Sequence, residues 1–190
     1  MSAGPDFSPR RARTAKGREF VLRPIRPDDA PGLIEAFRLC DPEDLRLRFF
    51  SAISDLSETL AARLSHIDPD HEMAIVATEP AVASETIAGV VRLIYATPDE
   101  AAEYGVIVRS DVKKLGLGRL LMLAILDHAA AVGIRQVVGY VLTENRTMLR
   151  MARGLGATIE RQKTDFTVMR VLFDMAATKP SPHGAVEGAA

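Results

Sequence analysis

Residues 106–121 read VIVRSDVKKLGLGRLL, an apolar run, a cationic segment with two glycines, and the start of a second apolar run. The first run is rich in β-branched residues and predicts a strand over 102–109. The second predicts a helix over 117–131 that ends near Gly133, a good position for a left-handed C-terminal cap. Glycine-rich, cationic strand-to-helix junctions are typical of phosphate sites, because the first turn of a helix has free backbone N–H groups.

Residues 136–142, QVVGYVL, predict a second buried strand after that helix. Strand, helix and strand then form a β-α-β unit, in which the two strands are parallel and adjacent. The other strands follow through short connections, which favours antiparallel pairing. The sequence therefore predicts an α/β (α+β) fold with a mixed, mostly antiparallel sheet and helices on both faces. The remaining strands are predicted at 19–26, 72–79, 86–96, 158–162 and 166–174, and the remaining helices at 29–40, 56–67, from 42 and from 145.

Local signals indicate where these elements begin and how they are placed. Pro24 cannot donate a hydrogen bond to a neighbouring strand, so it suggests that the first predicted strand lies at a sheet edge. Asp28, Asp55 and Asn145 each precede a predicted helix and are candidate N-caps. Their side-chain oxygens would then accept hydrogen bonds from N–H groups of the first turn.

The composition fits one globular domain. The chain has 190 residues, of which 47% are hydrophobic and 26% charged, and no linker or repeat interrupts residues 19–175. Residues 1–18 and 176–190 have little to bury and are expected to be disordered tails, the first of them basic. No apolar run approaches the roughly eighteen residues that a membrane helix needs. The single cysteine fits a reducing compartment, so a cytoplasmic location is expected.

The charge distribution makes nucleic acid an unlikely partner. Five of the 24 cations and one of the 25 acids lie in residues 1–18, so the other 172 residues carry 19 cations and 24 acids, a net charge of −5. Such a body repels phosphate backbones and tolerates a cationic partner. The four histidines show no spacing typical of a metal site, and no metal is expected.

Three phosphate-binding motifs can be compared with the glycine loop. The P-loop string G-x-x-x-x-G-K-[ST] is absent. The dinucleotide fingerprint G-x-G-x-x-G lacks its third glycine, because Leu121 occupies that position. The acetyltransferase motif [QR]-x-x-G-x-[GA] fits residues 113–118, with Lys113 in place of Gln or Arg. On this motif, and on VLTENRTMLRMARGLGA at 141–157, the sequence resembles the GNAT superfamily of acyl-CoA-dependent N-acyltransferases over about residues 19–174.

The resemblance implies that acetyl-CoA is the acyl donor, and it indicates which residues would contact each part of the molecule. In this family, pantetheine enters a gap where the strand before the loop bulges and splays from the next strand. Here Val106, Ile107 and Val108 would border it, with hydrogen bonds from the backbone of Val106 and Val108. Asn145 would lie near the thiol, a role compatible with an ordinary N-cap. The loop residues that would hold the pyrophosphate are Lys113, Lys114, Leu115, Gly116, Leu117, Gly118 and Arg119.

Glu103 is the candidate general base, although an exposed residue at a strand end is the simpler interpretation. It lies thirteen residues before Gly116, which resembles the position of the catalytic Glu in bacterial Pat-type protein lysine acetyltransferases. HEMAIVA at 71–77 and AEYGVIV at 102–108 also resemble that subgroup. A lysine ammonium, with a pKa of roughly 10.4, must lose a proton before it attacks a thioester. A nearby carboxylate can accept that proton directly or through water.

One position departs from the family pattern. Many members have a Tyr seven residues after the motif Asn, where it protonates the leaving thiolate, but this chain has Ala152. Tyr104 and Tyr140 are candidate substitutes, although tyrosines in strands usually belong to the core. The resemblance thus implies a cytoplasmic acetyl-CoA-dependent N-acetyltransferase whose acceptor is a protein lysine, such as one on an acyl-CoA synthetase. The alternatives are a small amine or amino-acid acceptor, and a module that binds acyl-CoA without turnover.

Acidic residues are expected around the acceptor entrance, where they would attract a cationic patch on a protein partner. The simpler interpretation is that several of them only cap helices. They lie in two segments and are Asp41, Glu43, Asp44, Asp55, Glu58, Asp68, Asp70 and Glu72.

Overall fold

The computed structural model describes residues 7–79, 85–97 and 100–176. The strands are β1 (Arg10–Arg13), β2 (Glu19–Pro24), β3 (Glu72–Glu79), β4 (Thr86–Ile94), β5 (Ala102–Val108), β6 (Gln136–Leu142), β7 (Thr158–Arg161) and β8 (Val168–Asp174). The helices are α1 (Ala30–Arg38), α2 (Pro42–Phe49), α3 (Glu58–Ser65), α4 (Leu117–Ala131) and α5 (Arg146–Gly154). The strands form one sheet in the order β1-β2-β3-β4-β5-β6-β8-β7. Among these neighbours only β5 and β6 run parallel, which confirms the mixed, mostly antiparallel sheet.

Helices cover both faces of the sheet, as predicted. On one face α4 packs against β3, β4 and β5, and Leu121 and Ile125 of this helix are fully buried. On the other face α1 and α3 pack over a smaller apolar cluster that includes Leu33, Val76 and Ile87. Burial of apolar surface, at roughly 25 cal/mol per Å², holds the helices on the sheet.

The predicted β-α-β unit is formed by β5, α4 and β6. Gly133 has a φ of 81° just beyond α4, the left-handed conformation predicted for its C-terminal cap. The two strands pair only at Ala102 with Val137 and at Glu103 with Val138. Both strands continue beyond this point, so a gap opens between them at the carboxyl end of β5.

The N-terminal segment corrects two predictions. Disorder of residues 1–18 is wrong for Arg10–Arg13, because these residues pair with β2 as strand β1. Strand β2 therefore lies inside the sheet and not at the edge that Pro24 suggests. The Ile25 N–H donates to the Ala74 carbonyl on β3, so the nitrogen of Pro24 faces the β1 side. Strand β1 reaches only as far as Leu22, and no ladder bond is lost.

Other predicted boundaries shift or fall outside the described residues. Asp29 and not Asp28 precedes α1, because residues Pro27–Asp29 form a 3₁₀ turn before the helix. The Asp29 carboxylate does not cap α1 but accepts two hydrogen bonds from Arg23, of 2.8 and 2.7 Å. Ser57 and not Asp55 caps α3, with its hydroxyl accepting from a first-turn N–H at 3.2 Å. The predicted C-terminal tail, residues 176–190, lies outside the described residues apart from its first one.

Candidate active site

The gap between β5 and β6 is a cleft of about 610 Å³. Glu103, the last residue of β5 that pairs with β6, marks the point where the two strands separate. Of the predicted site residues, Leu115 alone does not line the cleft, because it packs against the main core. The others do line it: Glu103, Val106, Ile107, Val108, Lys113, Lys114, Gly116, Leu117, Gly118, Arg119 and Asn145.

The backbone of β5 offers a free edge to the cleft. The Arg109 N–H donates to the Ala88 carbonyl on β4 at 2.9 Å, so alternate residues toward Glu103 also face β4. The backbone groups of Val106 and Val108 consequently face the cleft, as the resemblance implies. The bulge expected in this strand is absent: β5 pairs with β4 in unbroken register. The gap arises because β6 turns away after Val138, and not from an inserted residue.

The glycine loop presents a run of free amides. The N–H groups of residues 114–118 make no hydrogen bond with any part of the chain that the structure describes. Lys114 and Gly116 have left-handed backbones, with φ of 59° and 99°, which turn the loop sharply into α4. Successive free N–H groups before a helix form an anion site. The pyrophosphate of coenzyme A fits this chemistry.

The two basic side chains at the ends of this loop already have partners. Lys113 forms an ion pair with Asp44 of α2, and Asp44 also accepts a hydrogen bond from Ser110. Burial lowers the pKa of Lys113 from its ordinary value. Arg119 donates to the Gly154 carbonyl at 3.3 Å. The groups that are free to bind a phosphate are therefore the backbone amides of the loop. Lys113 could contribute only while it also pairs with Asp44.

Glu103 faces the helix α2 side of the sheet. Side chains alternate along a strand, and Tyr104, Val106 and Val108 pack toward the α4 side. Glu103, Gly105 and Ile107 therefore point the other way. Glu103 is exposed, and the charge of its carboxylate acts on the guanidinium of Arg48. A solvent-accessible carboxylate at the head of the cleft can accept a proton from an incoming amine.

Asn145 and Tyr140 line the wall of the cleft that β6 and the start of α5 form, whereas Tyr104, the other candidate acid, lies on β5 beside Glu103. The Asn145 side chain caps α5 by accepting from the Met148 N–H at 3.1 Å, and it also lines the cleft. Ala152 is fully buried in the core. Tyr104 is also buried, its hydroxyl has no partner in the described part of the chain, and burial raises its pKa. Tyr140 is 38% exposed and lines the cleft.

Helix α2 supplies cleft residues that sequence reasoning missed. Asp44, Leu47, Arg48 and Phe50 all line the cleft. Phe50, directly after α2, has a left-handed backbone with a φ of 59°, which is strained for a residue with a large side chain. No motif marks these positions, because α2 reaches the cleft only through tertiary packing.

Comparisons with known proteins bear on the same residues. The acetyltransferase (GNAT) domain family matches residues 19–158. An acetyltransferase from Pseudomonas aeruginosa is 28% identical over 151 residues, which are 80% of this chain and 81% of the relative. The crystal structure of the GNAT domain of S. lividans PAT has a TM-score of 0.79 at 24% identity and covers 87% of this chain and 96% of its own. Spermidine N-acetyltransferase from Vibrio cholerae, in complex with CoA and spermine, has a TM-score of 0.68 at 18% identity, with 83% and 96% covered.

Proposed function

The chain belongs to the GNAT acetyltransferase family, and from that premise we propose that it acetylates the side-chain amine of a lysine on another protein. Family membership makes the chain an acyl-CoA-dependent N-acyltransferase. This argues against the alternative of a module that binds acyl-CoA without turnover. One observation supports the proposed site above all others. Glu103 stands where the donor cleft begins and faces the open side of the sheet.

We place the acyl-CoA donor along strand β5. The pyrophosphate lies on the free amides of residues 114–118, and pantetheine extends along Val106 and Val108 as an added strand. From Val108 back to Glu103 a strand spans roughly 17 Å, which brings the thioester close to Glu103. Asn145, which follows the carboxyl end of β6, also lines the cleft.

In the proposed reaction, Glu103 acts on the amine, and the thiolate of coenzyme A is the leaving group. Glu103 takes a proton from the lysine ammonium, and the neutral amine attacks the thioester carbonyl carbon. The carbon–sulfur bond breaks, and sulfur leaves with the electron pair, while the second proton that the nitrogen loses as the amide forms passes to solvent or to the thiolate. Because thiols are acidic, with a pKa of roughly 8.5 for a free Cys, the thiolate can leave without a tyrosine at the position of Ala152. Tyr104 and Tyr140 remain the nearest phenols.

The acceptor class rests on the resemblance to Pat-type enzymes and on the structural likeness to the GNAT domain of S. lividans PAT. An acyl-CoA synthetase is the partner that this resemblance implies. The single cysteine is consistent with action in the cytoplasm. In the described residues no helix is long and apolar enough to cross a bilayer, and no three His, Cys, Asp or Glu side chains cluster as they would around a metal ion.

The acceptor can be tested by direct competition between substrates. We expect an acyl-CoA synthetase to give a higher kcat/KM than spermidine or free lysine, with a histone-like basic protein as the control for charge alone. Thiol release from acetyl-CoA and mass spectrometry of the acceptor would measure transfer. A higher kcat/KM for spermidine or for a free amino acid would replace the protein acceptor with a small amine.

A further inference from the structure

A second cavity, of about 230 Å³, lies on the face of β5 that is opposite to α4. It adjoins the active-site cleft, because Arg48, Gly105 and Ile107 line both. Its volume is far larger than the roughly 30 Å³ that one water molecule occupies in the liquid. Most of its wall is apolar, contributed by α1, the segment before α3, α3 itself and β4, and includes Leu33, Phe37, Leu56, Leu64, Ile87 and Val90.

The charged groups in this wall all have one sign. In the described part of the chain they are the arginines Arg48, Arg92 and Arg109, and no carboxylate lines the cavity. Arg92 is bound by Glu72 at 2.6 Å, and Arg109 is bound by Asp111 at 2.6 Å. These two arginines are therefore neutralised from outside the cavity, as buried cations normally are.

Arg48 differs from both of them. Its guanidinium makes no hydrogen bond or ion pair with any described residue and lies 5.0 Å from the centre of the Phe49 ring. It lies so close to Gly105 that a Cβ at that position would collide with the guanidinium. Burial lowers the pKa of Arg48, and the carboxylate of Glu103 opposes that effect. A half-buried cation without a counter-ion among the described residues is costly, so an anion bound beside Arg48 would stabilise the site.

We propose that this cavity binds the distal end of an acyl group that carries a terminal carboxylate, as in succinyl-CoA, and that the enzyme transfers such groups as well as acetyl. The methylenes would fill the apolar space, and the carboxylate would pair with Arg48. A neutral acyl chain would fill the space but leave the guanidinium unpaired. The donor is the source, because Arg48, Gly105 and Ile107 line both the cavity and the cleft. This inference rests on the proposed placement of acyl-CoA along β5.

The transfer itself follows the acetyl reaction. The acceptor nitrogen bonds to the thioester carbonyl carbon, the carbon–sulfur bond breaks, and sulfur leaves with the electron pair as the CoA thiolate. Glu103 receives the proton that the ammonium loses before the attack. The second proton, which the nitrogen releases as the amide forms, passes to solvent or to the thiolate. The lysine then carries an amide that ends in a carboxylate, and its charge changes from positive to negative.

Calorimetry with CoA, acetyl-CoA, butyryl-CoA and succinyl-CoA tests the inference. We expect wild type to bind succinyl-CoA more tightly than butyryl-CoA. Arg48→Met should weaken succinyl-CoA binding roughly 10- to 100-fold, the range for a hydrogen bond to a charged group, with little change for acetyl-CoA. Arg46→Met is the matched control: Arg46 lies on the same helix, is paired with Glu43 and Glu144, and lines neither cavity.

Cys40 gives a readout that does not depend on turnover. It is the only cysteine of the chain and lies in the cavity wall. Burial raises the pKa of its thiol to about 11, so labelling is measured at alkaline pH. Succinyl-CoA should slow the labelling of Cys40 in wild type and in Arg46→Met, whereas CoA should not. Ala36→Phe, from the half-buried side of α1, should fill the cavity and remove the succinyl preference.

The outcomes separate this inference from the proposed function. Butyryl-CoA binding as tightly as succinyl-CoA, or an equal loss of both in Arg48→Met, would overturn the carboxylate site. Protection of Cys40 by a free dicarboxylate or a carboxylate-bearing acceptor, but not by succinyl-CoA, would overturn the donor as source. If no CoA ester binds, the placement of acyl-CoA has failed instead. Should Arg48→Met not fold, the wild-type comparison of butyryl-CoA with succinyl-CoA decides alone.

Discussion

The sequence singles out Glu103 as a candidate base, but it does not show where the Glu103 side chain lies in the folded protein. Its strand position is unusual for a carboxylate, and the sequence identifies it for that reason. Its place at the last pair between β5 and β6, facing α2, is a property of the assembled sheet. The structure brings Glu103 to the cleft between β5 and β6, and its catalytic role is a prediction that a single substitution can test.

Glu103→Gln should lower kcat by about 10²–10⁴-fold, the usual contribution of a general base. Acetyl-CoA affinity should stay near wild type, because the proposed donor contacts lie further along β5. The loss should shrink as pH rises toward the acceptor pKa of roughly 10.4, since more amine is then neutral without help. Initial rates across pH would measure this, with Glu100→Gln, an exposed carboxylate outside the cleft, as the control. A loss that is independent of pH would contradict the role.

Arg48 and Phe50 mark the limit of residue-level prediction. An arginine in a helix is ordinary in sequence, and only the packing of α2 against β5 shows that Arg48 has no counter-ion among the described residues. The left-handed backbone of Phe50 is likewise invisible, because nothing in the sequence distinguishes it from Phe49. Both residues line the cleft, so the side of the cleft formed by α2 was harder to predict than the side formed by β5 and the glycine loop.

At the scale of elements, local patterns in the sequence predicted the β-α-β unit that borders the cleft well. The β-strand, glycine loop, helix and strand of the β-α-β unit are consecutive in sequence, and each has its own periodicity. Strand β1 was missed because Arg10–Arg13 read RRAR, a polar segment without apolar alternation. The gap between β5 and β6 was expected from the family alone, because the length of a strand pair depends on the whole sheet.

The glycine loop gives the element-scale prediction. A Cβ at Gly118 would meet the Met151 sulfur at 3.6 Å and Val108 at 3.8 Å, which are ordinary contacts. Gly118→Val should therefore fold, yet its branched side chain would stand where phosphate approaches the amides. We expect the Kd for CoA to rise at least about tenfold, equal to about 1.4 kcal/mol. Isothermal calorimetry measures this, and the unfolding midpoint checks the fold.

Gly154→Val is the matched control for that substitution, because its new side chain would point into open space outside the cleft. Gly116 is unsuitable, since its φ of 99° would strain any other residue. Equal CoA affinity in wild type and Gly118→Val would remove the loop from the donor site.

At the scale of the whole molecule, the acids expected around the acceptor entrance divide into two groups. Some are neutralised: Asp44 is paired with Lys113, and Glu72 with Arg92. Asp68 and Asp70 are exposed and make no ion pair with a described residue. These two acids precede Glu72, the first residue of β3. Glu72 pairs with Ile94 on β4, and Ile94 pairs in turn with Glu103 on β5. Two strand spacings, roughly 10 Å, thus separate this end of β3 from the proposed base.

That acidic end of the sheet should make protein acetylation depend on salt. Exposed charges are screened over roughly 8 Å at physiological ionic strength, so kcat/KM for a basic protein acceptor should fall as salt rises, and kcat should change little. Asp70→Asn should flatten this dependence. Asp127→Asn, on α4 at the opposite face and paired with Arg10, should leave it unchanged, and free lysine should show a weaker effect than the protein. If both substitutions alter the salt dependence equally, the net charge of the molecule and not this surface attracts the acceptor.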